Sequence, residues 1–362
     1  MHIISTKAAL TRTQALSPAV TVVGVAAIKF GNMVLSQQGA CQKTDKPTNP
    51  LAFEEIRNNI LLHLSVMPNL TQYALLSAAA FATLHAEDAP AKPWMVIADW
   101  QSRSAEAISH AGGTTGDFAR SRVGAEAIWA TPNAACDLEY YRYKNDFGGA
   151  IRGTDRSYGD TRDLMLTGFR QWDWSAKYSV QAIYALEAAA EDGVGLSRGF
   201  RWGLGGAARW RPDAETDVAL GVMLEDRFEA GVLPIPYLKA VWRPCKAAEV
   251  ELRATGLQNG LIIRGYLTDD QATRVDFSMM YETLTFRLAD SSTYGGRAVA
   301  IGEVPLRVGV TQFLERSGTW FVQGSFEWVA FSRQSFVHDG ETQAVFQTGA
   351  TWGFAARVGA RF

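Results

Sequence analysis

The last fifteen residues, TGATWGFAARVGARF, constrain the fold more than any other stretch of the chain. Ala350, Trp352, Phe354, Ala356, Val358, Ala360 and Phe362 fall on one face of an extended segment. Thr351, Gly353, Ala355, Arg357, Gly359 and Arg361 fall on the other. A period of two separates these sets on a strand, whereas a helix scatters them around its axis. The same alternation recurs upstream. Phe200, Trp202, Leu204, Ala208 and Trp210 oppose Arg201, Gly203, Gly205 and Arg209, and Val304, Leu306, Val308 and Val310 oppose Arg307, Gly309 and Thr311. From Trp94 onward the chain reads as strands.

One apolar face per strand suits either a sandwich, with that face inward, or a membrane barrel, with it toward lipid. Composition leaves the barrel open. Mean hydropathy is -0.07, far below a chain of apolar helical spans, yet 11 of the 362 residues are Trp and 33 are Gly. A formal net charge of -2 gives no footprint for nucleic acid. The three cysteines, Cys41, Cys136 and Cys245, form no metal-ligand spacing, and no cofactor or metal is expected. Cys136 and Cys245 start strands too far apart around a barrel to form a disulfide.

The turns favour the barrel. Trp129-Ala-Thr-Pro132, Trp210-Arg-Pro212 and Trp242-Arg-Pro244 each place an aromatic residue before a Pro-started turn. Pro fixes the strand end, and Trp suits a membrane–water boundary. Strands are expected over 94–107, 118–130, 135–147, 160–173, 176–190, 199–211, 215–229, 234–243, 247–257, 259–268, 273–288, 300–315, 319–332 and 346–362. The short connections then share one side. The longer ones, 110–117, 148–161, 191–199, 290–300 and 335–345, lie opposite. Short periplasmic turns, longer outer loops and an even strand number describe a bacterial outer-membrane barrel. The expectation is an all-β, transmembrane, antiparallel up-and-down barrel over 87–362 with about fourteen strands. Twelve is the alternative, because Pro234, Pro236 and Pro244 crowd the short strands of 231–268.

Residues 67–86, MPNLTQYALLSAAAFATLHA, read as a secretory signal peptide. Residues 1–66 then read as an upstream extension with Met67 as the true start, or as a genuine additional segment. Trp352, Phe354, Val358 and Phe362 form a C-terminal pattern of the kind the outer-membrane assembly machinery reads. That machinery and outer-membrane lipid are the expected partners.

ELRATGLQNGLIIRGYLTDDQATRVDFSMMYETLTFRLAD, then IGEVPLRVGV, FSRQSFVHDGE and the closing ARF, resemble an uncharacterised family of bacterial outer-membrane β-barrel domains. The resemblance covers roughly 200–362 and implies an outer-membrane barrel, with no substrate or catalytic residue to carry over.

Two sets of residues could carry function. Arg122, Glu126, Arg209, Glu225, Glu249, Glu251, Arg253, Arg307, Glu327, Arg357 and Arg361 fall on the lumen side. They could line a water-filled passive channel, or pair across the interior and rigidify a plugged barrel that serves as a structural or partner-binding element. His338 with Asp339 in the last outer loop, near His110, Ser109 and Ser335, could serve an outer-membrane hydrolase as base and orienting carboxylate. No G-x-S-x-G motif accompanies them.

Overall fold

The computed structural model describes residues 93–110, 115–152, 157–228, 231–256, 258–268, 270–290, 297–314 and 319–362. The expected signal peptide and the segment before it lie outside these residues. Sixteen strand segments follow in order: β1 (Trp94–Arg103), β2 (Glu106–His110), β3 (Thr115–Thr131), β4 (Ala134–Gly149), β5 (Thr161–Asp173), β6 (Tyr178–Glu191), β7 (Phe200–Trp210) and β8 (Thr216–Arg227). Then come β9 (Gly231–Cys245), β10 (Ala248–Ala254), β11 (Gln258–Tyr266), β12 (Thr273–Arg287), β13 (Ala298–Phe313), β14 (Trp320–His338), β15 (Glu341–Thr348) and β16 (Thr351–Arg361). A short 3-10 helix, η1 (Leu196–Gly199), precedes β7.

β1 with β2, and β15 with β16, are each one stave interrupted by two residues, so the sixteen segments make fourteen staves. Each pairs antiparallel with the next, and the first pairs with the last in both halves: β1 with β16, and β2 with β15. Trp94 and Phe362 exchange backbone hydrogen bonds of 3.3 and 2.9 Å at the seam. The barrel is closed, which removes every end-to-end sheet edge.

The alternation sorts faces as the sequence expects. Trp352, Phe354, Phe326, Trp328, Leu204 and Leu220 on the outer face are each 45% to 63% exposed. Apolar side chains this open, on strand after strand, are what a lipid-facing wall presents. Trp94, Trp172, Trp210, Trp242 and Trp320 ring the end that carries the short turns, as a single aromatic girdle.

One expectation needs correction. The last outer connection is not a loop over 335–345: β14 runs to His338 and β15 begins at Glu341, leaving a two-residue turn. Asp339 and Gly340 adopt φ of 48° and 77°, the left-handed pair that joins tightly twisted hairpin strands. The hairpin extends because Phe336, Ala344 and Phe346 turn inward and are buried there. The proline-rich stretch also keeps its hairpin. β9 pairs with β8 from Gly231 to Trp242, so the fourteen expected staves stand and the twelve-stave alternative falls.

Candidate functional site

The interior is not one uniform space. On the side of β1–β4 and β12–β16, charged side chains meet in a packed belt. Glu327, 0% exposed, accepts from Arg103 Nε at 2.6 Å, Arg307 Nε at 2.6 Å and Gln101 Nε2 at 2.8 Å. Glu303 accepts from Arg103 Nη1 and from Arg120 Nη2, both at 2.7 Å. Arg307 continues to Glu282, whose two oxygens it binds at 2.5 and 2.9 Å. Asp99 holds Arg122 at 2.8 Å and Arg357 at 3.4 Å, and Arg357 also pairs with Glu126. Buried charges are stable only when paired and bonded in this way. At the centre of the belt Asp99, Glu303 and Glu327 have almost no open surface, at 2%, 2% and 0% side-chain exposure.

Nearer the long connections, the same side holds an apolar core. Ile108, Phe118, Tyr143, Ile151, Tyr158, Phe286, Val299, Phe336 and Phe346 are all buried. Their rings pack edge-on or tilted: Tyr143 to Phe286 at 5.4 Å, Phe147 to Tyr158 at 5.1 Å, Phe336 to Phe346 at 5.7 Å. This plug arises because inward positions turn apolar in the outer halves of β12 to β15.

A tie across the barrel bounds the plug. β6 and β12 are the fifth and eleventh staves, yet Ala190 and Arg287 form a parallel backbone bridge. Glu191 accepts from the backbone N–H of Gly159 at 2.6 Å with one oxygen, and from that of Ala289 at 2.8 Å with the other. Beyond it, Arg198 of η1 makes a two-pronged pair with Asp290, at 2.9 and 3.0 Å. Those two bonds and the adjacent positive charge hold the Asp290 carboxyl below the ordinary carboxylate range. The mouth is therefore pinched between β6 and β12.

What stays open lies along β7–β11. Here each ion pair exposes its base at least as much as its acid. Lys239 is 45% exposed against 4% for Glu251, Arg227 is 47% against 9% for Glu225, and Arg243 is 48% against 14% for Glu249. Arg253 and Arg264 also lean on Glu251, at 2.6 and 2.8 Å, so that carboxylate meets three cations. Arg209 pairs with Asp217 and reaches Gln171. A small cavity of about 20 Å³ lies at the outer end, between Glu187, Arg201, Gly203 and Glu225. The acids sit against the strands and the bases face the opening.

The residues expected on the lumen side thus divide. Arg122, Glu126, Arg307, Glu327 and Arg357 belong to the packed belt, and Arg209, Glu225, Glu249, Glu251 and Arg253 to the β7–β11 wall. Arg361 stacks over Phe313, 5.6 Å from the ring centre, at the short-turn end. Arg103, Arg120, Lys239, Arg264 and Glu303 were not singled out from the sequence, although each shares the inward register of residues that were.

His338 Nε2 lies 3.6 Å from Asp339 Oδ2, as neighbours flanking a tight turn. Backbone pairing sets His110 opposite Phe346, so the first and last outer hairpins are adjacent as expected. Ser335 pairs with Val345 and has the outward register, away from the plug. Among the described residues, no group of His, Cys, Asp and Glu could hold a metal ion. No disulfide joins Cys136 and Cys245, on the third and eighth staves.

The sequence matches no protein-family model and no curated protein. Among solved structures, the chain is similar to an outer-membrane channel of Pseudomonas putida F1. That match has 13% identity and a TM-score of 0.40, and covers 76% of this chain and 97% of that one. It is also similar to the P. putida toluene transporter TodX, at 7% identity and a TM-score of 0.38, covering 76% and 91%. A third is the NanC porin, at 7% identity and a TM-score of 0.34, covering 74% and 100%.

Proposed function

We propose that this chain is a bacterial outer-membrane barrel that acts as a passive channel, with a path that favours anionic solutes. The observation that carries this reading is the uneven exposure along β7–β11, where Lys239, Arg243 and Arg227 face the opening while Glu251, Glu249 and Glu225 lie beneath them. A wall of this kind offers positive potential to a permeating ion. The low-dielectric strands behind it strengthen the field in the narrow space. Selectivity then comes from exposed charge rather than net charge, since the sequence as a whole carries -2.

The outward apolar band and the girdle of Trp residues support residence in the outer membrane. The alternating C-terminal stave, with Trp352, Phe354, Val358 and Phe362, supports delivery there by the assembly machinery. Reconstitution into a planar bilayer tests the channel. Discrete conductance steps are expected, and under a potassium chloride gradient the reversal potential should lie toward that of chloride. The double variant Lys239→Glu/Arg243→Glu should move the reversal potential toward that of potassium. Electrical silence, or a cation preference in the unmodified protein, overturns the reading.

A further inference from the structure

The wall of the barrel is not equally tall all round. β10 pairs with β9 only from Leu238 to Cys245, so among the described residues Gly231–Tyr237 of β9 pairs with β8 alone. Opposite it, β11 begins at Gln258, level with Glu282, so Thr283–Phe286 of β12 pairs with β13 but with no described residue of β11, and Arg287 above them bridges to Ala190 of β6. Between these two edges stands the short β10–β11 hairpin.

The heights place the gap within the membrane. Trp242 of the girdle is level with Val250 of β10. From Val250 to the hairpin residue Gly256 is six residues, which at ~3.3 Å per residue and a ~40° tilt rises about 15 Å. From Trp242 to Gly231 is eleven residues, or about 28 Å, enough for the ~25 Å apolar band of such barrels. The hairpin stops short of the outer boundary that β9 reaches. It also leaves the plane of the wall: Gly256, with φ of 84°, comes so close to Glu225 that a Cβ there would lie 2.3 Å from Oε1.

The sequence treats this edge as permanent. The backbone N–H of Arg243 donates toward β8, to Glu215 at 2.8 Å, and the register to β8 is unbroken. Odd residues of β9 therefore turn to β8, and even residues turn to the β10 side. Pro234 and Pro236 are even. Their missing donors lie on the open edge, where no ladder bond is lost and no strand can add. An open edge is tolerated at membrane depth only where it lines a cavity or passage.

We propose that this gap is a lateral window through which the alkyl tail of an anionic amphiphile passes between the barrel interior and the outer leaflet. The inference rests on the anion-facing wall proposed above and names the class of solute that wall serves. Leu233 and Ile235 have the inward register at the window, and Leu233 is 41% exposed. Four residues below Ile235, about 13 Å along the strand, Lys239 faces the opening beside Arg253. An apolar sill over two cations matches a tail above a carboxylate head.

The test uses the whole protein in lipid nanodiscs, photolabelled with dodecanoate carrying a terminal diazirine and mapped by mass spectrometry. Label is expected on the inward residues Leu233 and Ile235 and on Leu284 across the gap. An analogue with a trimethylammonium head should label them weakly. Lys239→Glu/Arg253→Glu, checked for folding by its heat-shifted gel band, should label them roughly tenfold less. Label confined to outward residues such as Val222 and Leu224, or inward label unaffected by head-group charge, overturns the window. If chloride-selective conductance persists in that case, the window alone falls. If it is missing as well, the channel reading falls too.

Discussion

Replacing Glu327 with Ala should lower the stability of the folded barrel by about 3–5 kcal/mol, the usual cost of removing one member from a buried, hydrogen-bonded charge network. Glu327 is 0% exposed and accepts from Arg103, Arg307 and Gln101. Glu303 and Glu282 retain those two guanidinium groups, so the belt loses its centre rather than all of its anions. The measurement is the urea midpoint at which the fast-migrating, unheated band disappears from an SDS gel. Glu327→Gln, which keeps an acceptor of the same shape, should recover part of the loss. A midpoint unchanged in Glu327→Ala would show the belt to be open to water, contrary to its burial.

Truncating Phe336 to Ala should cost a similar ~3–5 kcal/mol, for a different reason. Its ring is 1% exposed and packs edge-on against Phe346 at 5.7 Å and Tyr158 at 6.3 Å. Removal leaves a cavity in a plug that ordinary hydrophobic burial and ring contacts hold together. Single-channel conductance should nevertheless stay as in the unmodified protein. The plug lies above the packed belt, and the proposed path runs along the opposite wall. A larger conductance step would place the path through the plug instead.

Much of the fold was legible because lipid imposes a strict rule: side chains of one parity must be apolar for the length of the crossing. That rule gave the staves of β7, β13, β14 and β16 from Trp, Phe, Leu and Val at alternate positions. It failed where the chain leaves the bilayer. Phe336, Ala344 and Phe346 are apolar and inward, and on parity alone 335–345 read as a loop. The structure shows a hairpin whose inside has become a protein core. A second rule, that inward charge marks the lumen, found both the belt and the open wall without distinguishing them. Arg307 and Arg253 look alike in sequence. The former is bound by Glu282 and Glu327 within the belt, and the latter stands over Glu251 on the open side. Which of them meets water depends on the cross-barrel tie at Glu191 and Ala190, and that tie links residues 98 positions apart in the chain. Pro234 and Pro236 are what left twelve staves as an alternative to fourteen, and they mark a strand whose outer half pairs on one edge only among the described residues.

The proposed path requires an interior divided into a sealed side and a wet, cationic one. Thiol chemistry reads that division most directly, in chains whose own cysteines are replaced by Ser. Lys239→Cys and Ser332→Cys would each be held in a planar bilayer and exposed to a negatively charged methanethiosulfonate while the current is recorded. Lys239 is 45% exposed, and Ser332, on the inner face of β14, is 1% exposed. Prompt stepwise loss of chloride current is expected for Lys239→Cys, with no response from Ser332→Cys. Modification of Ser332→Cys with Lys239→Cys inert would contradict it.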